Sequence, residues 1–573
     1  ERSLDLLPLS DLTSEAFFQN ENDYRLYANG LYGQLPTRGV ANRDNWTDFH
    51  FTGGPDPISN STFIEPETSG TWSNPYANIR SAFELIDREA LIEPGALKDA
   101  VQVYKGEAHF FVAMNYFTLL SHYGGVPLID KALGLEDELL NAPRASRSEI
   151  VDYILWNLDQ AVTRVGTLSD ASNMGRITED GVRALKARVA LFEGTWRKFH
   201  GLGNEDAMLD IAITESKAVM DSGNHSLFKN DALGDLSYFY FFILESSVQS
   251  NPLGLGKDAQ NEYIVTRRHN KLDAPSGYIS VNGGNLSPTL KLANTFLDNT
   301  GLPIDHPDSV FEGHSFTIDP VNKVAANTEY MNRDTRMLQN FIEPFDQFWY
   351  SVPYERNYSL TDLTGTGGWN EGYWTSASGY LMSKFLPEIE GAVGIDWPVI
   401  RLAEMMLIYA EAVFERNEGI SDADLDISIN KLRDRVDIPQ LTNSFVAINN
   451  LDMRTEIRRE RAVELMAEGF RYDDLRRWKT AETELNQALK GIQWSSSPLN
   501  NPDGFEVFSI QSNATVEVQA HTAKSFAVDD NGFSILEDAS NRNFEQKHYL
   551  WPIPLREIEL NPSLEQNPGW ARQ

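Results

Sequence analysis

The densest group of residues that could do chemistry is the segment Ile457–Trp478, with the sequence IRRERAVELMAEGFRYDDLRRW. Its carboxylates Glu460, Glu464 and Glu468 could serve general acid–base catalysis, and its arginines could bind phosphate. On a helix, however, acidic and basic side chains three or four positions apart pair with each other. General acid–base catalysis also needs a site that holds two pKa values apart, and no neighbouring motif supplies one. The segment therefore predicts a structural network of ion pairs between two helices.

No other segment has the spacing of a catalytic or metal-binding motif. The glycines of 365–368 lack the lysine of a phosphate-binding loop, and the ten histidines are not spaced as zinc ligands. Asp422, Asp424 and Asp426 lack the glycine and the glutamate of a calcium-binding EF-hand loop. The sequence has no cysteine, so disulfides and thiolate chemistry are excluded. We therefore predict no catalytic residue, no metal site and no cofactor, and we do not expect an enzyme.

The composition limits the classes of partner. The chain has 573 residues, with 49 Lys or Arg against 83 Asp or Glu, and its formal net charge is −34. Nucleic-acid binding needs clustered positive charge to neutralise phosphates, so this charge excludes it. The same charge disfavours adhesion to anionic lipid. No apolar run reaches the ~18–20 residues that span a bilayer.

Hydrophobic periodicity predicts that most of the chain is helical. Ser146 and Glu149 have the spacing of a capping box at a helix start. Antiparallel helix pairs joined by short links predict a mainly α fold with a TPR-like superhelical scaffold. The predicted helices are Ser14–Tyr32, Tyr76–Leu91, Leu97–His122, one that follows the capping box as far as Val162, one that begins at the N-cap Thr178 and continues to Trp196, Asp206–Met220, Thr289–Leu297, Trp397–Phe414, Asp424–Arg435, Arg454–Ala467 and Tyr472–Leu489.

The local composition changes along the chain and distinguishes several segments. We expect these segments to form a single unit over residues 1–573. Residues 14–222 and 397–490 are predicted to form the helical scaffold. Residues 228–396 are rich in Gly, Asn, Asp and Pro, which predicts a long irregular insert with short strands. Residues 494–573 are predicted to be loop-rich. Long ordered loops usually carry function, so we expect the insert to face a ligand.

Six segments, in order along the chain, resemble motifs of the SusD/RagB family. Any one of them would be a weak match, but together they extend over nearly the whole chain. The segments are YFTLLSHYGGVPLID at Tyr116–Asp130, SPTLKLANTFLDNTGLPI at Ser287–Ile304, NRDTRM at Asn332–Met337, RLAEMMLIYAEA at Arg401–Ala412, ERAVELMAEGFRYDDLRRW at Glu460–Trp478 and WPIPLREIELNPSLEQNPGW at Trp551–Trp570.

The resemblance implies a function and a location. It implies a surface-exposed outer-membrane lipoprotein of Bacteroidota that covers a SusC-like TonB-dependent transporter. Such proteins capture oligosaccharides or polysaccharides, or in some members peptides, and pass them to the transporter. Family members carry a lipidated cysteine shortly before a segment like Leu4–Pro8, so we expect a signal peptide and an anchor cysteine that this chain lacks. Contact with the membrane would then depend on that lipid anchor alone.

The twelve tryptophans divide into two groups of six. One group lies on predicted helices or in the terminal motif, and we predict structural roles for it: Trp156, Trp196, Trp397, Trp478, Trp551 and Trp570. The other group lies in loop-like surroundings rich in Gly and Asn: Trp46, Trp72, Trp349, Trp369, Trp374 and Trp494. The resemblance implies that the ligand lies across loops, so the second group supplies the candidates for ligand binding.

A sugar ring has an apolar C–H face and a rim of hydroxyls, and its receptor needs aromatic rings beside amides and carboxylates. TWSNPYAN and TGGWNEGYW have that mixture. The alternative is that each tryptophan anchors its own loop. The predicted binding residues are Trp72, Trp349, Trp369 and Trp374 as the aromatic platform, Asn74, Asn370 and Glu371 for the hydroxyls, and Trp46 and Tyr350 as outer members.

Three other functions stay open at this point. A peptide-capturing receptor would bind oligopeptides and ignore glycans, and a helical glycoside hydrolase or lyase would release shorter sugars. A purely structural transporter lid would bind neither ligand. The aromatic loops favour glycan capture. Because the chain is strongly negative, it should repel polyanionic glycans, which favours a neutral polymer such as a β-glucan or a fructan.

Overall fold

The computed structural model describes residues 17–60, 62–167, 175–246, 250–270, 286–314, 316–319, 324–342, 350–351, 355–356, 378–387, 394–493, 505–511, 515–521 and 527–570. In these parts the chain is mainly helical with short strands, which confirms the predicted fold class.

The α-helices are α1 Glu21–Leu31, α2 Gly70–Ala90, α3 Ala96–Ala100, α4 Gln102–Tyr123, α5 Arg147–Val162, α6 Glu179–His200, α7 Glu205–Asp221, α8 Ser237–Phe241, α9 Leu290–Thr295, α10 Thr335–Asn340, α11 Leu402–Asn417, α12 Asp422–Asp426, α13 Ile429–Arg435, α14 Asn443–Ile448, α15 Met453–Glu464, α16 Arg471–Arg477, α17 Ala481–Glu484 and α18 Leu555–Leu560. None of the helices described here is long and apolar enough to cross a membrane.

The strands pair two by two and antiparallel: β1 His50–Phe51 with β3 Ser287–Pro288, β2 Tyr263–Arg267 with β10 Trp397–Arg401, β4 Phe316–Asp319 with β5 Val324–Asn327, β6 Phe341–Ile342 with β9 Leu381–Met382, β7 Tyr350–Ser351 with β8 Glu355–Arg356, β11 Leu489–Gln493 with β14 Phe533–Glu537, and β12 Phe505–Gln511 with β13 Thr515–His521.

The chain folds into two compact units. Unit 1 comprises Glu1–Leu35, Ile64–Val189 and Tyr549–Gln573, and unit 2 comprises Pro36–Phe63 and Ala190–His548. The predicted division into scaffold, insert and C-terminal segment is a different division of the same chain, and it stays a prediction.

In unit 1, helix α4 packs against α2 and α5. It is apolar nearly all round, with Phe111, Tyr116 and Leu119 fully buried, as expected for a helix enclosed by others. The capping box of α5 is confirmed: Ser146 Oγ accepts the Glu149 N–H at 3.2 Å, and Glu149 accepts the Ser146 N–H at 2.7 Å.

In unit 2, helix α11 packs against α7 and α15. The prediction of one helix over Trp397–Phe414 is wrong at its start, because Trp397–Arg401 forms β10 and pairs with β2. An apolar run such as WPVI has no periodicity that separates a buried strand from a buried helix. The predicted helix Tyr472–Leu489 is also wrong in part, since α16 ends at Arg477 and a shorter helix and a strand follow.

The C-terminal segment contains more strand than predicted. Residues 505–511 and 515–521 form an antiparallel hairpin with seven paired positions. The sequence TVEVQAH alternates polar and apolar residues throughout, which is the pattern of a half-exposed strand, and FEVFSIQ alternates except at the adjacent Val507 and Phe508. This alternation was present in the sequence, and the loop-rich prediction missed it.

The predicted network of ion pairs exists, but its partners are not mainly neighbours on one helix. Five acidic and five basic side chains of unit 2, all buried, pair with one another and balance in charge: Glu262, Asp334, Glu460, Glu464, Glu468, Arg336, Lys384, Arg401, Arg433 and Arg435. The charged segment thus joins elements far apart in sequence. Its carboxylates face arginines in the core and not the solvent. No substrate could reach them there.

Acid should destabilise unit 2. Burial alone would raise the pKa of Glu411, but the Arg477 guanidinium and the Trp478 indole N–H lower it to about 2. Burial also opposes ionisation of Glu464, yet Arg435 and its neighbours hold the pKa of Glu464 well below its ordinary value. A carboxyl with a lowered folded-state pKa stabilises the fold above its unfolded pKa of about 4.3, and that stability is lost as the pH falls through the folded value.

We therefore expect the thermal midpoint of unfolding to fall steeply between pH 5 and pH 3, as followed by circular dichroism. The variant Glu411→Gln should start from a lower midpoint and lose less of it over the same interval. A midpoint that is constant or rises between pH 5 and pH 3 would contradict this assignment.

Candidate functional site

Trp72 does not lie in a loop, and that part of the prediction is wrong. Helix α2 begins at Gly70, five residues before Pro75, so the Gly- and Pro-containing run is helical rather than irregular. The Trp72 ring is only 4% exposed and packs at 5.0 Å on the edge of Tyr123 and at 5.5 Å from Tyr76. This ring belongs to the core of unit 1 and presents no face to a ligand. Asn74 is exposed on the same helix, but a separation of two residues points it away from Trp72.

Most of the other predicted binding residues lie outside the described residues. This holds for Trp349, Trp369, Asn370, Glu371 and Trp374. Tyr350 opens strand β7, where its backbone pairs with Arg356 of β8. Binding of a ligand by these residues stays a prediction.

Trp46 is a predicted aromatic that the structure describes and leaves partly exposed. It ends a 3₁₀ segment, Arg38–Trp46, in unit 2. Its ring is half-buried and meets the Tyr472 ring edge-on at 5.2 Å. The Arg43 guanidinium lies 5.8 Å from the Trp46 ring and 5.9 Å from the Tyr472 ring. Arg43 also pairs with Asp473 at 2.8 Å, and both charged groups are partly exposed.

We call Arg43, Trp46, Tyr472 and Asp473 the Trp46 cluster. It combines a ring held at a fixed angle with a guanidinium and a carboxylate at the surface. A guanidinium donates and a carboxylate accepts hydrogen bonds, and these two roles match the hydroxyl groups of a sugar. Nε and Nη2 of Arg43 are themselves buried, so the exposed part of the guanidinium is what a ligand could reach. The cation over the ring also stabilises the orientation of the indole.

Two buried aspartates position the segment that carries Trp46. Asp44 accepts the backbone N–H of Gly469 at 3.1 Å, and its burial raises the pKa of Asp44 to about 7. Asp48 forms a two-point ion pair with Arg471 at 2.9 and 2.7 Å. Burial opposes ionisation of Asp48, but Arg471 and Lys291 hold its pKa well below the ordinary value. The segment is therefore tied at two points to the chain between Gly469 and Arg471.

Arg38, at the other end of the same segment, was missed by the sequence reasoning. Its side chain is partly buried, and within the described residues it has no hydrogen bond and no ion pair. Burial lowers the pKa of Arg38 to about 9, and no charge among the described residues compensates it. Since none of the described residues accepts its N–H donors, a ligand with acceptor groups could do so. No sequence signal separates Arg38 from the many arginines that pair.

Within the described segments, no group of three or more His, Asp or Glu side chains is arranged to hold a metal ion. The larger cluster of carboxylates is the buried network, where five cations already neutralise them.

Comparison with known proteins adds family information to this geometry. A model described as the SusD family matches residues 248–570, which is more than half of the chain. A second family model, described as starch-binding and associating with the outer membrane, matches residues 15–191. Among curated proteins, the chain is similar to the SusD-like protein P38 of Formosa agariphila, with 24% identity over 513 residues that cover 86% of this chain and 90% of that protein.

Solved structures share the fold. One is a SusD-like carbohydrate-binding protein of Bacteroides fragilis, with a TM-score of 0.69, 21% identity and coverage of 96% of this chain and 100% of that chain. Another is a laminarin-binding SusD-like protein, with a TM-score of 0.59, 17% identity and coverage of 96% and 100%. At this level of identity the likeness concerns the fold, and the residues that contact a ligand have to be argued from this chain.

Proposed function

Since this chain belongs to the SusD family, as the match to more than half of it shows, we propose that it binds glycans at the cell surface. In this proposal it captures an oligosaccharide or polysaccharide and delivers it to a SusC-like TonB-dependent transporter. The family descriptions of starch binding and outer-membrane association support this, as do relatives of the same fold that bind carbohydrate or laminarin.

The observation that carries the proposal for this chain is the geometry of the Trp46 cluster. The partly exposed indole of Trp46 can contact the C–H face of one sugar ring, and Arg43, which lies beside it, and Asp473, which pairs with Arg43, can serve the hydroxyls. Burying one sugar face on an aromatic ring is worth roughly 1–2 kcal/mol by area. Several such contacts, less the cost of ordering the ligand, correspond to affinities of about millimolar to tens of micromolar.

We extend the site, as a proposal, to Arg38 and to the aromatic and polar residues of the insert. The latter are Trp349, Tyr350, Trp369, Asn370, Glu371 and Trp374. Trp72 is no longer part of the site, because its ring is buried. The preferred ligand remains a neutral glycan such as a β-glucan or a fructan, since the net charge of −34 opposes a polyanion.

We also propose that the protein works at the outer membrane, held there by a lipid anchor. The transporter partner and the anchor are implied by the family, and each has a direct measurement. Co-purification of the full-length protein with a TonB-dependent transporter from outer membranes would test the first. Labelling with a fatty-acid analogue would test the second.

Replacing Trp46 by alanine should weaken glycan binding by about five- to thirty-fold, which corresponds to the loss of one ring contact. The measurement is retention in native gels that contain laminarin, inulin or starch, followed by titration calorimetry with the retaining glycan. Trp46→Phe keeps an aromatic face and should retain most of the affinity.

Unchanged affinity of Trp46→Ala, with the unmodified protein retained, would remove the Trp46 cluster from the site. If the unmodified protein ignores all three glycans but binds peptides from a casein digest, the peptide-capturing alternative replaces glycan capture. Release of shorter sugars, visible by thin-layer chromatography, would instead indicate an enzyme.

A further inference from the structure

Trp156 departs from the structural role that its helical spacing predicts. Its side chain is 49% exposed, whereas the other five tryptophans of its predicted group are each at most 9% exposed. It lies in the middle of helix α5, in unit 1. A single exposed apolar residue needs no explanation by itself, so the case for a function depends on how the ring is held and what surrounds it.

The Trp156 ring is supported from beneath by two aromatic rings. Tyr153, three residues earlier, stacks nearly parallel to it at 5.9 Å and 10°. His109 of helix α4 meets it edge-on at 5.6 Å. Asn157 fixes this support, because its Oδ1 lies 2.8 Å from His109 Nδ1 and its amide donates to the Tyr153 carbonyl at 2.9 Å. Burial lowers the pKa of His109 to about 4, so the imidazole is neutral at physiological pH.

The indole is therefore oriented before any ligand arrives. Binding to a ring that already has a fixed position costs little side-chain entropy. A tryptophan that only filled space at the surface would not need this layer of support.

Hydrogen-bonding groups surround the exposed ring. Asp152 lies four residues before Trp156, and Asp159 and Gln160 lie three and four residues after it, so all three share its side of the helix. Asp152 and Asp159 are exposed. Asp159 also holds the ammonium group of Lys186 at 2.6 Å. Two carboxylates and an amide thus share the exposed side of the helix with the ring, and an ammonium group lies beside one of the carboxylates.

These surroundings fit a sugar better than a protein. The centre of a protein interface is depleted in charged residues and brings several apolar side chains together. Here three of the four helix neighbours of Trp156 are polar, namely Asp152, Asp159 and Gln160, and the fourth is the stacked Tyr153. Two carboxylates would repel a uronic acid or a sulfated sugar, whereas they accept hydrogen bonds from the hydroxyls of a neutral one.

We propose that Trp156 is the platform of a second glycan-binding site, which takes one face of a neutral hexose unit. Asp152, Asp159 and Gln160 contact its hydroxyls. The proposal rests on the proposed glycan-binding function and adds a second site on helix α5 of unit 1, which shares no residue with the Trp46 cluster of unit 2.

The test uses the whole chain labelled with 5-fluorotryptophan and the β-1,3-glucan laminarihexaose as the probe. The fluorine resonance of Trp156, assigned from its absence in Trp156→Phe, should shift on titration. In native gels that contain laminarin, Trp156→Ala should be retained less than the unmodified protein, which corresponds to an affinity about five- to thirty-fold weaker.

The free-energy losses of binding from Trp156→Ala and Trp46→Ala should add in the double variant, because separate sites contribute separately. Leu202→Ala, which removes an apolar side chain that is 59% exposed elsewhere, should change nothing.

The possible results separate a failure of the second site from a failure of the proposed function. If laminarin retains the unmodified protein, an unmoved Trp156 resonance together with unchanged retention of Trp156→Ala overturns the second site and leaves the proposed function intact. If neither laminarin, inulin nor starch retains the unmodified protein, the proposed function and the second site fall together. Loss of a copurifying protein from Trp156→Ala, with glycan retention unchanged, would make the platform a protein contact and overturn the proposal.

Discussion

Replacing Glu464 by glutamine is expected to lower the free energy of unfolding by about 3–5 kcal/mol, the largest single effect that this structure predicts. Glu464 is fully buried and pairs with three guanidinium groups, those of Arg336, Arg401 and Arg435. The network contains five acidic and five basic groups, so the substitution leaves one positive charge uncompensated in the core. Glutamine keeps the shape of the side chain. The decrease in the free energy of unfolding therefore reports the missing negative charge and not a cavity.

The measurement is denaturant unfolding followed by circular dichroism. Asp221→Asn is the matched control, since it breaks the surface pair between Lys217 and Asp221 in the same unit, where both groups are substantially exposed. A surface pair of this kind contributes at most about 0.5 kcal/mol. Equal losses in the two variants would show that the buried network does not stabilise unit 2 more than a surface pair does.

The same network shows how much of the fold the sequence could predict. Glu460, Glu464 and Glu468 stand at helical spacing, and this was enough to predict ion pairs and to argue against catalysis. It was not enough to identify the partners. Arg401 and Arg435 belong to other elements, and only the folded chain brings them within 3.1 Å of Glu262 or Glu464. Long-range pairing has no local signature in a single sequence.

The exposure of the tryptophans also could not be predicted from the local sequence. Composition placed Trp72 in a loop, because glycine and proline surround it, and helical spacing gave Trp156 a structural role. Neither pattern predicts how exposed the ring is, since exposure depends on which helices cover a residue and not on its own segment. Helix α4 packs beside α2 and supplies Tyr123 to bury Trp72. The outer side of α5 is left open at Trp156.

Of the candidate site, the sequence therefore predicted the kind of residues and one member, Trp46. An aromatic ring beside polar groups was expected, and Trp46 with Arg43 and Asp473 has that composition. Arg38 could not have been singled out, because an unpaired guanidinium is recognised only when its surroundings are known. What joins the predicted and the unpredicted residues is the short 3₁₀ segment that carries three of them.

That segment depends on one glycine, and replacing it should weaken both the fold and the site. Gly469 has a φ of +83°, and a Cβ at this position would lie 2.5 Å from the carbonyl oxygen of Val40. Its N–H also holds Asp44. We expect Gly469→Ala to cost about 2–5 kcal/mol, which combines the strain of a left-handed conformation with a forced shift of the Arg38–Trp46 segment.

The control separates these two causes. Gly223 in the same unit has a φ of +73°, and nothing lies within 4 Å of its Cβ position, so Gly223→Ala carries the strain without the collision. It should cost only about 1–2 kcal/mol and leave laminarin affinity unchanged. Gly469→Ala must displace Val40, which lies between Arg38 and Trp46, and should lose affinity as Trp46→Ala does. If Gly469→Ala is destabilised but binds laminarin normally, the Arg38–Trp46 segment is a structural element and the ligand lies elsewhere.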